Sequence, residues 1–183
     1  MSDGNEVLIW MDLEMTGLDV EHDTIVEIAV IATSATTLEP LDAGLSVVVA
    51  QPPGVLARMS DFVRQMHERS GLLAEIGTSG IPLEEAGRRV LEYIKGHVPE
   101  PRTVPLCGNS IGMDRRFLAR YLPEIEEHLH YRSIDVSSIK ELCRRWYREA
   151  FAARPDKGED HRALPDITAS IQELRYYRET IFK

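Results

Sequence analysis

The segment from Val7 to Glu14 constrains this chain more than any other. Val7-Leu8-Ile9-Trp10-Met11 is a nearly continuous apolar run that passes directly into Asp12, Leu13 and Glu14. Apolar residues at both alternating positions mark a strand covered on both faces, so the run predicts a buried central strand with a polar end. If extended geometry persists, Asp12 and Glu14 point to one face with Cα atoms roughly 6.6 Å apart. An Asp-x-Glu pair alone also fits a solvated strand end. Here the flanking Trp10-Met11 and Met15-Thr16-Gly17-Leu18 leave the charges in apolar surroundings, and a sheet interior does not readily accept two unpaired carboxylates.

Ile25 to Thr33 and Leu45 to Ala50 read as two further strands, which with the first predict a three-stranded antiparallel meander. After Pro52-Pro53-Gly54 the spacing becomes helical, with Ser60 as N-cap and Phe62, Met66 and Arg69 on neighbouring turns. Pro82 opens a second helix whose Leu83, Ala86, Val90, Leu91 and Ile94 form one buried face ending near Gly96. Val104 to Cys107 predicts a short buried strand, Met113 to Tyr121 a helix, and Ile134 to Val136 an extended piece before a helix capped at Ser137 or Ser138. In that helix Ile139, Leu142, Cys143 and Trp146 make a stripe assigned to the core. Ala152 to Glu159 has loop composition, and a last helix turns Ile167, Ile171, Leu174 and Ile181 inward. The pattern predicts an α/β fold with a mixed central sheet flanked by helices, one domain over 1–183.

The 183 residues carry a formal net charge of −9. Proteins that grip long polyanions present a broad basic face, so a long-polymer binder is disfavoured while a ligand with few phosphates stays open. Cys107 and Cys143 form no Cys-x-x-Cys pattern and read as small buried apolar residues in a reducing cytoplasm. No membrane span and no secretory leader is legible.

Two further acidic positions stand at junctions. Asp114 lies where a strand end and the turn Gly108-Asn109-Ser110-Ile111-Gly112 run into a helix, a common place for a pocket and equally for an acid favoured by the helix dipole. In His161-Arg162-Ala163-Leu164-Pro165-Asp166, Pro165 suits the first turn of the last helix. Asp166 is then anchored just inside that helix and His161 sits on the loop before it, free to move.

Taken in order, Asp12-x-Glu14, Asp114, and His161 with Asp166 five residues on resemble the three motifs of the DEDD exonuclease superfamily in its histidine subclass. The flanking text is most similar to the oligoribonuclease family. The matching blocks are Trp10 to Leu18, Ile25 to Ala29, Cys107 to Leu118, Tyr131 to Leu142 with Arg144-Arg145-Trp146, and Glu173 to Arg178. The resemblance implies a ribonuclease-H-like fold, a homodimer, and hydrolysis of short oligoribonucleotides, dinucleotides especially, to mononucleotides from the 3′ end. A DEDD-type exonuclease acting on longer single-stranded DNA or RNA is the alternative. The resemblance to the oligoribonuclease family further implies that Leu18 wedges between two bases and that Phe62 and Tyr131 stack on them. Ser110, Arg132 and Ser137 would hold the terminal phosphate near His67, with Tyr131, Arg132 and Ser137 coming from the partner subunit. For Leu18 and Phe62, core packing is an equal reading of the residues alone. The chain departs from the family at Pro165, where an acidic residue is frequent, and at Phe62, where tryptophan is common.

Four carboxylates in one pocket repel: at an effective dielectric of about 20, a pair at 4 Å costs on the order of 4 kcal/mol. Two Mg²⁺ or Mn²⁺ ions, hard cations that prefer oxygen ligands, would balance Asp12, Glu14, Asp114 and Asp166. His161 is the candidate general base, since histidine exchanges a proton near neutral pH.

Overall fold

A computed structural model describes residues 6–155 and 161–182. Among them, the strands are β1 (Val7–Met15), β2 (Ile25–Ser34), β3 (Leu45–Val48), β4 (Pro105–Gly108) and β5 (His130–Asp135). The helices are α1 (Pro53–Leu56), α2 (Asp61–Arg69), α3 (Leu72–Thr78), α4 (Leu83–His97), α5 (Gly112–Tyr121), α6 (Pro123–His128), α7 (Val136–Trp146), α8 (Arg148–Ala152) and α9 (Ala163–Thr180).

The sheet order is β3-β2-β1-β4-β5, with β1 in the middle. β1, β2 and β3 form the expected antiparallel meander, whereas β4 and β5 join in parallel, so the sheet is mixed. The apolar run explains the central place of β1, because its two alternating sets of side chains enter two different cores. Ile9, Met11 and Leu13 pack with Ala86, Val90, Ile94, Phe117 and Leu118 of α4 and α5. Leu8 and Trp10 pack on the other face with Cys143 of α7 and Ile167, Ile171 and Tyr177 of α9. By the period of two, Asp12 and Glu14 extend the second row and lie on the α9 face of the sheet.

Several local expectations hold. Ser60 caps α2, its hydroxyl accepting the Val63 N–H, and the α4 face predicted from spacing is buried apart from a half-buried Leu83. The extended geometry past Asp12 that puts Asp12 and Glu14 on one face does persist, to Met15, because β2 stays paired through Glu14↔Glu27 before the register shifts. Other expectations are corrected. The extended piece expected at Ile134 begins at His130, and α7 is capped by Asp135 instead of Ser137 or Ser138. Of the stripe assigned to the core, only Cys143 is buried; Ile139 is half-buried, while Leu142 and Trp146 are exposed, Trp146 at 66%. α7 lays its Val136, Ile139 and Cys143 edge on the sheet and α9, which leaves Leu142 and Trp146 uncovered. The loop expected over Ala152 to Glu159 starts one residue later, after α8, and 156–160 lie outside the described residues. Among the described residues no helix is long and apolar enough to cross a membrane.

Candidate active site

The carboxylates meet where β1 ends against the start of α9. One ligand oxygen from each of Asp12, Glu14 and Asp166 lies within 4.8 Å of the other two. Pro165 is the third residue of α9 and exposed, and the Asp166 N–H bonds to the Arg162 carbonyl at 3.0 Å, so Asp166 is held by the helix itself, as expected. Asp114 belongs to the same neighbourhood but not to that trio. β4 pairs with β1 only at Ile9 and Trp10. Farther along β1, Asp114 in the first turn of α5 takes over, its Oδ1 accepting the Leu13 N–H at 3.0 Å.

Burial and crowding set the charge state of this cluster. Glu14 is pushed up to about 8, first by burial, then by the charges of Asp166, Glu27 and Asp114, with Arg162 opposing. Burial pushes Asp114 up to about 6 against the favourable Leu13 N–H. Acids that resist ionising together and offer converging oxygens fit divalent cations well: the positive charge removes the repulsion, and hard Mg²⁺ or Mn²⁺ takes carboxylate ligands.

The candidate base and ligand residues fall into separate groups. His161 immediately precedes Arg162 at the head of α9; it is exposed and holds a left-handed backbone with φ 44°. His67 of α2 is wholly buried and its Nε2 lies 2.9 Å from the Met15 carbonyl oxygen. That bond requires the proton on Nε2, leaving Nδ1 as an acceptor with no hydrogen-bond partner among the described residues. Burial also depresses the His67 pKa, which keeps the ring neutral. Leu18 and Phe62 are 66% and 77% exposed, so core packing does not explain either.

Ser110 and Ser137 form a third group. Their hydroxyls are 3.0 Å apart, and the Asp135 carboxylate accepts both of their backbone N–H groups at 2.9 Å. Ser137, expected from a partner subunit, thus stands beside Ser110 within one chain. Asn109 links this pair to α9: its Oδ1 accepts from Ser137 at 3.0 Å and its Nδ2 donates to Ser170 at 2.6 Å, while Ser170 donates to the Asp166 carbonyl at 2.8 Å. Tyr131 and Arg132 project from the edge strand β5, Tyr131 at 76% exposure with the Arg132 guanidinium 5.6 Å from its ring centre. Arg115, next to Asp114, donates to the His130 and Arg132 carbonyls at 2.5 and 3.3 Å and so ties β5 to α5.

Sequence reasoning missed Glu27, Arg162, Asn109, Asp135 and Ser170. The signal for Glu27 was present: it is a single acid inside the apolar strand Ile25–Ser34, and an unpaired carboxylate is as costly there as at Asp12 and Glu14. The roles of Asn109 and Ser170 depend on contacts 61 residues apart, which no local pattern displays.

A mixed five-stranded sheet with helices on both faces and acids at the end of its central strand is an arrangement that suits a metal-dependent nuclease. The RNase_T exonuclease family model matches residues 9–174. An oligoribonuclease of Mycobacterium sp. (strain KMS) is 52% identical over 96% of this chain and 81% of its own length. One of Nocardia farcinica (strain IFM 10152) is 50% identical over 100% and 83%. The chain belongs to the oligoribonuclease family of exonucleases. The sheet and helices also superpose on exonuclease I of Methylocaldum szegediense with a TM-score of 0.65 at 19% identity, covering 97% of this chain and 41% of that one. E. coli exonuclease I in complex with a 5cy-dT13 oligonucleotide gives 0.67 at 16%, again covering 97% and 41%. The chain therefore spans about two fifths of the length of those structures, and the likeness is one of fold.

Proposed function

We propose that this chain is a 3′→5′ exoribonuclease that hydrolyses short oligoribonucleotides, dinucleotides above all, to 5′-mononucleotides. The convergence of Asp12, Glu14 and Asp166 oxygens within 4.8 Å carries this reading. Asp12, Glu14, Asp114 and Asp166 would hold two divalent cations, Mg²⁺ or Mn²⁺. When bound, such ions supply an acidified water and charge stabilisation at the phosphate.

The remaining work falls to the chain's own side chains. His161 takes the proton of the attacking water on an imidazole nitrogen, which its place at the head of α9 supports. The Leu13 N–H holds the Asp114 carboxylate in one orientation toward the cluster. Exposed Leu18 and Phe62 offer apolar surface for bases, with Tyr131 of a second copy stacking on them in a homodimer and Arg132 of that copy reaching the terminal phosphate. The Ser110 and Ser137 hydroxyls receive the terminal phosphate, and His67 lies beside the reacting end through its bond to Met15. A net charge of −9 favours a substrate gripped at a few phosphates over a long strand, and the free Cys107 and Cys143 suit the reducing cytoplasm.

The test compares a 5′-phosphorylated diribonucleotide with a long single strand in the presence of Mn²⁺, with chelator, and with Asp114→Ala. Mononucleotides released from the dinucleotide only by metal-loaded wild type support the reading. Preference for the long strand would move the assignment to a general single-strand exonuclease.

A further inference from the structure

The nuclease reading leaves Arg162 without a task, yet it is the most heavily bonded cation near the carboxylates. Its Nε and Nη2 donate to Glu27 at 3.0 to 3.2 Å, and its Nη1 and Nη2 donate to Glu75 at 2.9 and 2.8 Å. Glu27 is 1% exposed in β2 and Glu75 lies on α3, so one guanidinium joins the sheet, α3 and the head of α9. The adjacent Ala163 N–H also ends on Glu27, at 3.2 Å, and the Ser46 hydroxyl donates to the same carboxylate at 2.9 Å. Two consecutive residues after His161 are thus anchored on one buried acid.

Stability alone does not account for this arrangement. A buried ion pair is commonly no better for stability than an apolar pair of similar volume. Glu27 is also the cross-strand partner of Glu14, so it places another negative charge against a crowded acidic cluster. What the bridge does uniquely is fix the backbone just after His161. That histidine holds a left-handed φ of 44°, a conformation that persists where surrounding contacts over-determine it. Only arginine presents a planar fork able to meet two carboxylates at once; lysine offers a single point charge.

We propose that Arg162 is the positioning residue for His161, with the Glu27–Arg162–Glu75 bridge fixing the backbone from which the imidazole meets the attacking water. This rests on the reading of His161 as general base. The experiment measures kcat and KM on a 5′-phosphorylated diribonucleotide with Mn²⁺ for wild type, Arg162→Met, Arg162→Lys, His161→Ala and the His161→Ala/Arg162→Met double variant. Thermal unfolding is followed in parallel, with Glu27→Gln/Arg162→Met added to remove the buried Glu27 charge together with that of its half-buried partner.

Arg162→Met should lower kcat about 100-fold, the scale of a misplaced catalytic group, with KM changed by less than about threefold. Arg162→Lys should recover only part of the loss. In the His161→Ala background Arg162→Met should cost less than about a further threefold, because the group it positions is already gone. Glu27→Gln/Arg162→Met should regain the unfolding temperature without regaining kcat. The inference is overturned by wild-type kcat in Arg162→Met, by losses that multiply in the double variant, or by kcat returning together with the unfolding temperature. Full turnover in Arg162→Met beside an impaired His161→Ala would sink this inference alone, whereas full turnover in His161→Ala would sink the base assignment and this inference with it.

Discussion

Glu14→Gln should make the metal-free protein more stable near neutral pH, and the gain should grow as pH rises. In the unfolded chain the Glu14 carboxyl ionises around its ordinary value of 4.5, while in the folded protein it ionises near 8. Between those values the folded state keeps a proton that the unfolded state has released. Stability is therefore fully present below pH 4.5 and falls by about 1.4 kcal/mol per pH unit until the folded carboxyl titrates. From pH 5 to pH 7.5 the wild type should lose about 3 kcal/mol more than a variant with no carboxyl to titrate. For a chain of this size that corresponds to a difference of about 6–12 °C in the shift of Tm. Chelator-treated wild type and Glu14→Gln are compared by thermal and urea unfolding across that range, so any pH-independent cost of burying the glutamine amide cancels. Adding Mn²⁺ at pH 7.5 should reverse the order, because the ions stabilise the ionised Glu14 carboxylate and cannot be held as well by the amide. Parallel pH curves for the two proteins would refute the reasoning, since they would mean that Glu14 ionises in the fold as readily as in the open chain.

Phe62→Ala should weaken dinucleotide binding by about 1–3 kcal/mol, read as a rise in KM with Tm little changed, because this 77% exposed ring has a base to lose and little packing. The affinity for a substrate gripped at two phosphates should fall with salt along a log–log slope of about −1.4, measured by titration from low to moderate ionic strength. His161→Ala should reduce kcat by about 10²–10⁴-fold while metal-dependent binding of a dinucleotide persists, checked by single-turnover kinetics and equilibrium binding. Ser60→Ala should cost about 1 kcal/mol by removing the α2 cap, a loss of about 2–4 °C in Tm without a matching loss of kcat.

The parts of the fold that were legible in the sequence are those whose pattern is local. Residues Val7 to Met11 declared a two-faced central strand, and the Ser60 cap and the three-and-four spacing after Pro82 declared two helices. Asp12 and Glu14 stood out because charges in apolar surroundings need a reason, whereas Asp114, His161 and Asp166 joined them only through the family resemblance, and Glu27 escaped although β2 is equally apolar. The unread features are tertiary. Asp135 caps α7 and also takes the Ser110 N–H, a use that depends on β4 and β5 lying side by side. The exposure of Leu142 and Trp146 could not be inferred from helical spacing, which marks an apolar face without saying whether anything covers it. The Arg162 bridge joins residues 135 and 87 positions apart, and adjacency to His161 alone does not disclose it.

The proposed function requires that Asp12, Glu14, Asp114 and Asp166 together hold the metal ions used in cleavage. Counting bound Mn²⁺ by electron paramagnetic resonance, for wild type and for Asp12→Asn and Asp166→Asn, tests it most directly. Two ions per wild-type chain are expected in the presence of a 5′-mononucleotide product, with a loss of stoichiometry or affinity in each variant. Wild type that binds no Mn²⁺, or variants that bind it as wild type does, would contradict it.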